Sequence, residues 1–253
     1  YRCHWVRYPK GCKDLNDALR QFGERGVQAT LRRAQPLQIH GYYEMGDLPP
    51  KPTPRAYRIG TDCLEQHYKI RRGDLTVVTG MPGSGKSSFI NEVACRMAQG
   101  HGWKTVFSSF EQDARTDHRR ALRTFYAEKL EAAMSPEETA GADAWIAKHF
   151  GFIVPSDDDD VTLSWMLRTL EQAILRKEAD MAVIDPWNEM DHTRPPDMTQ
   201  TEYTGFAIKQ FKKFARKYNI HLIIAAHPAK MQRSRDNGKY PVPSLYDIAD
   251  SAH

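Results

Sequence analysis

Cysteine is scarce in this 253-residue chain: four thiols, Cys3, Cys12, Cys63 and Cys95, with no CxxC pair among them. That excludes a small secreted domain stapled by disulfides and the paired-thiol zinc and redox sites. Cys3, His4 and Cys12 match no standard zinc spacing. No apolar run approaches the roughly 18 residues that a bilayer span needs, and the mean hydropathy is −0.65, so no membrane association is expected. Nothing resembles a secretory signal, and a reduced, cytoplasmic compartment is the expectation. Neither charge sign dominates, with Lys+Arg 36 against Asp+Glu 32. The location of the charges, rather than their sum, must therefore identify a polyanionic partner. The chain opens on Tyr1 rather than Met, which reads as a piece of a longer protein.

What is present divides into three stretches. Residues 1–35 hold a short aromatic strand (Cys3 to Tyr8), a Pro-Lys-Gly turn and a helical pattern through Asp14, Leu15, Ala18, Leu19 and Phe22. Residues 36–56 carry Pro36, Pro49, Pro50, Pro52 and Pro54 in a polar setting, a density that reads as a semi-rigid linker. From 57 to 253 short apolar strands alternate with amphipathic helices, which predicts an α/β domain with a mainly parallel central sheet and helices on both faces. Four strands are expected, at 75–79, 104–110, 181–184 and 221–226. Helices are expected from 87 to about 98, from 163 to 179 and from about 202 to 218.

The segment Gly80-Met81-Pro82-Gly83-Ser84-Gly85-Lys86-Ser87 meets GxxxxGK[ST] at every fixed position, after a strand and before a helix. Its glycines let backbone N–H groups converge on phosphate oxygens, and the helix N-terminus adds positive potential. Ser84 and Ser88 extend the cradle, Lys86 reaches the outer phosphates, and the Ser87 hydroxyl is a magnesium ligand. ATP with Mg²⁺ is the expected cofactor pair.

Hydrolysis further needs a second carboxylate near the metal, a base for water and a group that senses the terminal phosphate. Strand ends supply candidates: Asp185 for the metal, Glu111 as base and His227 as sensor. Glu189 and Asp191, in the same acidic run as Asp185, are open alternatives. The run Asp157–Asp160 reads as a solvated loop that N-caps the next helix. Lys209, Lys212, Lys213, Arg216 and Lys217 read as the solvated face of a helix. Lys230, Arg233, Arg235 and Lys239 fall in a Ser/Asn/Gly-containing loop after His227. Next to a phosphate sensor, that loop is a candidate contact for a nucleic-acid backbone, and the loop after Asp191, with His192, Arg194, Pro195 and Pro196, is a second.

The succession GMPGSGKSS, FSSFEQ, MAVIDPWNEMD, HLIIAAHPAKM and PSLYDIADSAH resembles the RecA-like ATPase domain of DnaB-type hexameric replicative helicases. It is most similar to their Twinkle-like and phage primase-helicase branch. Residues 8–19 resemble the end of a toprim domain, which would make 1–35 a toprim-like tail. The resemblance implies a 5′-to-3′ DNA helicase that works as a homo-hexameric ring on single-stranded DNA. It also implies that primase motifs lie upstream of Tyr1 and that an arginine finger lies beyond His253. A piece ending there is expected to bind ATP but to hydrolyse it poorly and assemble weakly. Two other readings stay open: a RecA-like recombination or loader ATPase, and a nucleotide-gated assembly module in which turnover is incidental.

Overall fold

Alternation along buried strands sends successive side chains to opposite faces of a sheet, and in this protein each face has its own cover. The structure is a computed structural model and describes residues 4–36 and 39–228. The chain divides into two units, Tyr1–Thr53 and Pro54–His253, and the break falls inside the Pro-rich stretch. In the first unit β1 (His4–Trp5) pairs antiparallel with β2 (Gln35–Pro36). Between them lies α1 (Leu15–Arg32), capped by Asp14, which accepts from the Asp17 N–H. Gly23, at φ 63° and ψ −169°, breaks α1 into two helical pieces.

The second unit opens with the antiparallel pair β3 (Ala56–Tyr57) and β4 (Ile70–Arg71) around the short α2 (Asp62–Glu65). Five parallel strands follow: β5 (Leu75–Thr79), β6 (Thr105–Ser109), β7 (Phe150–Ile153), β8 (Met181–Asp185) and β9 (His221–Ala226). Their order in space is β5-β9-β8-β6-β7. The intervening helices are α3 (Lys86–His101), α4 (Arg119–Ala127), α5 (Pro136–His149), α6 (Leu163–Lys177) and α7 (Gln200–Tyr218). One core joins Val106, Ala182, Ile184, Leu222 and Ile224 to apolar residues of α6 and α7, among them Leu170, Ile174 and Phe211. The other joins Phe107, Met181, Val183, Ile223 and Ala225 to α3, α4 and α5 through Ile90, Leu122 and Ile146. Odd and even positions of the same strands thus face different helices.

The sheet has five strands where four were expected. Phe150-Gly151-Phe152-Ile153 has a single β-branched residue and follows His149 at the end of α5 without a turn residue, so it lacks the usual strand signals. Three helix ends also differ. α3 runs on to His101 and stops at Gly102, with φ 68°. α6 stops at Lys177, because Glu178 takes φ 54°. α7 starts at Gln200, where Thr199 and Glu202 form a reciprocal capping box. The acidic run does not cap α6: the cap is Thr162, whose hydroxyl accepts from the Trp165 N–H. Asp159 instead accepts from the Ser156 N–H and hydroxyl and from the Trp165 indole.

The end of β6 is fastened by a group the sequence does not advertise. A five-residue π-turn, Ala114–His118, opens at Asp113, which accepts from the N–H groups of Arg115 and Thr116. It delivers the His118 ring, 1% exposed, between the Phe107 and Phe152 rings at 4.8 and 5.4 Å. His118 Nε2 lies 2.7 Å from the Ser109 hydroxyl. Burial pushes the His118 pKa down to about 4. The unfolded chain therefore takes up this proton first, near pH 6.5. The native state loses stability as pH falls from there toward 4. Denaturant melts are expected to show wild type losing about 3 kcal/mol through this group between pH 7 and pH 4. His118→Phe should lack that share of the loss, and equal pH sensitivity of the two proteins would contradict the assignment.

Candidate functional site

Four neighbouring strands present their carboxyl ends in one row, the position where ligands bind in open α/β sheets. Register fixes the alignment: Thr79 of β5 lies opposite Ala226 of β9, and Ser109 of β6 opposite Asp185 of β8. The phosphate-type loop, His227, Asp185 and Glu111 therefore follow one another across β5, β9, β8 and β6. Each of them stands at or just after a strand end, and the sheet order makes them neighbours.

The loop between β5 and α3 has the backbone its glycines predict. Gly83 and Gly85 adopt φ 74° and 89°, where an L side chain costs about 1–2 kcal/mol. Gly80 is buried, and a Cβ there would meet the Ser84 hydroxyl oxygen at 2.6 Å. The Ser84 N–H closes the turn on the Met81 carbonyl at 3.1 Å. Pro82 and Ser84 stand exposed on the rim, and Ser88 lies in the first turn of α3. The first N–H groups of that helix have no partner one turn back, which makes them donors for an anion.

Lys86 has a definite hydrogen-bond set. Its Nζ donates to the Gly80 and Met81 carbonyls at 3.0 and 3.3 Å and stands 3.4 Å from His227 Nδ1. The other nitrogen of that ring, Nε2, is 3.1 Å from Glu111 Oε1. An ammonium only donates and a carboxylate only accepts. Lys86 therefore donates to Nδ1, and His227 carries its proton on Nε2 and donates it to Glu111. The lysine, the ring and the carboxylate form one directed chain. The Glu111 side chain remains 50% exposed and that of His227 22% exposed, so water reaches the carboxylate.

Beside this chain, Asp185 is 5% exposed. Burial raises its pKa; the Ser87 hydrogen bond lowers it, Glu111 raises it, and Lys86 and His227 lower it. A buried carboxylate bonded to a hydroxyl of the first turn of α3 is a pair of hard oxygen donors. That suits magnesium, which keeps several waters and needs only one or two protein ligands besides phosphate. Asp191 forms an isolated parallel bridge with Thr162, and Glu189 is exposed in the 3₁₀ turn Trp187–Glu189. Among the described residues no set of three or more His, Cys, Asp or Glu is placed to hold a metal; the candidate metal pair rests on the hydrogen bond that joins Ser87 to Asp185.

Sequence reasoning passed over Asn188. Its Oδ1 accepts the backbone N–H of His227 at 2.7 Å. The available signal was an amide among carboxylates three residues past Asp185. The basic loop residues Lys230, Arg233, Arg235 and Lys239 lie outside the described residues.

The sequence pattern of the AAA domain family matches residues 33–233. A curated relative, the Twinkle homolog protein, chloroplastic/mitochondrial, of Arabidopsis thaliana, is 32% identical over 275 residues. All of this chain is covered, and it spans 38% of that relative's length. Among solved structures, an isolated ATPase domain matches with TM-score 0.57 at 15% identity, over 71% of this chain and 65% of that one. A DnaB-like replicative helicase, described with its interactions with primase, matches with TM-score 0.56 at 17% identity, over 72% of this chain and 45% of that one. The fold is that of the ATPase domains of DnaB-like helicases.

Proposed function

This chain belongs to the AAA domain family, and from that premise we propose that it is the ATP-hydrolysing core of a DNA helicase that acts in replication. The observation that carries this reading is the directed chain Lys86–His227–Glu111 beside the Ser87–Asp185 pair. An ammonium, an imidazole and a carboxylate in successive hydrogen-bond contact beside a phosphate-type loop support the roles of phosphate-binding cation, sensor and general base.

Each residue has a task. The turn from Gly80 to Gly85 and the first turn of α3 surround the phosphates with N–H donors. Lys86 Nζ exchanges a loop carbonyl for a phosphate oxygen. Ser87 and Asp185 would hold magnesium, whose chemistry when bound is to neutralise charge on the outer phosphates. Glu111 Oε1 takes the proton of the attacking water, which its exposure admits. His227 connects the base to the lysine, so its ring can register whether a terminal phosphate is present. The resemblance to DnaB-type replicative helicases supports single-stranded DNA as the track and a homo-hexameric ring as the working form. The loop after His227 is the proposed DNA contact. Residues 1–35 are proposed to be the edge of a toprim-like domain, 36–56 a linker and 57–253 the ATPase domain.

Cys12, Cys63 and Cys95 are free, which supports a reduced compartment such as the cytoplasm. Among the described residues no helix is long and apolar enough to cross a membrane. The function is tested by the ATPase rate of the full-length protein with and without single-stranded DNA. Stimulation of about tenfold or more, which fades steeply with salt because phosphate contacts release counterions, is expected. A rate indifferent to DNA would overturn the helicase reading.

A further inference from the structure

The His227 ring can bridge Lys86 and Glu111 only if the backbone that carries it is held, and both ladders of β9 end before it. The ladder between β8 and β9 ends at the pair Ile184 and Ile224. On the other side β9 pairs with β5 as far as Ala226. His227 is the first residue beyond both ladders. Its N–H is bonded by a side chain from 39 positions earlier, the Oδ1 of Asn188, at 2.7 Å.

Asn188 is itself fixed. It sits mid-way in the 3₁₀ turn Trp187–Glu189, closed by the Met190 N–H on the Trp187 carbonyl at 3.2 Å. Trp187 is buried in the core under α7. It packs edge-on to Phe211 at 5.8 Å and stacked on Tyr203 at 6.3 Å. That anchor cannot slide without opening a void among large rings. The turn follows closely on Asp185, so one short segment sets both the metal carboxylate and the backbone of the sensing histidine.

We propose that Asn188 is a positioning residue for the phosphate chemistry: its amide oxygen replaces the missing ladder bond and keeps the His227 ring between Lys86 and Glu111. Asn188 acts through His227 alone. The inference builds on the proposed ATPase function, but its first test does not. In the ligand-free chain, the side-chain nitrogens of His227 report its tautomer by NMR, with the signal identified by its loss in His227→Gln. Wild type is expected to show a protonated Nε2 and a bare Nδ1. In Asn188→Ala and in the near-isosteric Asn188→Leu the two nitrogen shifts should move together as the ring samples both tautomers. Asn188→Asp, which keeps an acceptor oxygen, should restore the wild-type separation.

The kinetic arm follows. Asn188→Ala is expected to lower kcat for ATP about tenfold or more and leave KM within about twofold. Asn188→Asp should recover most of that loss. In a His227→Ala background Asn188→Ala should cost nothing further, because residues that act as one unit are not additive. A purely structural role would instead lower the melting temperature and add its cost to that of His227→Ala. An unchanged tautomer pattern in both the Ala and Leu variants, or full additivity with His227→Ala, would overturn the proposal. Absence of ATPase activity from the full-length protein with the tautomer result intact would fault the function and leave the positioning role standing.

Discussion

Lys86→Ala is expected to weaken Mg·ATP binding by about 10²–10⁴-fold, the cost of two charge-assisted hydrogen bonds at roughly 1.5–3 kcal/mol each. The fold should survive. The three partners of the lysine are two carbonyls and a ring nitrogen at the mouth of the site, so it ties no core element in place. Gly80 and Met81 can turn their carbonyls to water when the ammonium is removed. The melting temperature should therefore stay within a few degrees of wild type, while calorimetry loses the binding heat. Lys86→Arg should not rescue, because a planar guanidinium does not reproduce the compact point charge that the tight turn from Gly80 to Ser84 encloses. An alanine variant that binds Mg·ATP as wild type does would remove the lysine from the phosphate site.

Glu111→Gln should have the opposite signature. Glutamine keeps the length of the side chain and an acceptor oxygen for the His227 Nε2–H, at 3.1 Å in wild type, but it cannot take a proton from water. A general base contributes typically 10²–10⁴-fold, so kcat is expected to fall by about that factor while ATP affinity stays within a few-fold. This separates the motor reading from a nucleotide-gated scaffold, in which a protein that binds but does not hydrolyse ATP would assemble and work as before. If Glu111→Gln turns over ATP at the wild-type rate, the base must be sought elsewhere, and Glu189, exposed in the neighbouring turn, is the first substitute.

The parts of the site that were legible in the sequence are those fixed by local spacing. GMPGSGKS forces its own backbone, since Gly83 and Gly85 take up φ values that only glycine adopts cheaply. Asp185 and His227 were legible because uninterrupted apolar runs, MAVI and LIIAA, announce a buried strand and place the next polar residue at its end. Glu111 was legible in the same way, from the strand ending in Ser108-Ser109. Residues whose role comes from distant neighbours were not. Asn188 looks like one more polar loop residue until the end of the ladder leaves the His227 N–H for it to bond. His118 has no motif, and its burial follows from the π-turn and from Phe152 on β7, the strand whose glycine and short length hid it. The acidic run shows the converse failure, where composition suggested a cap that the hydroxyl of Thr162 provides.

Titration of Mg·ATP into the wild-type chain by calorimetry tests the central claim most directly. Saturable uptake of one nucleotide per chain, weakened by about tenfold or more when magnesium is chelated and lost in Lys86→Ala, is the predicted result. No uptake by properly folded protein, or uptake that ignores both magnesium and Lys86, would contradict it.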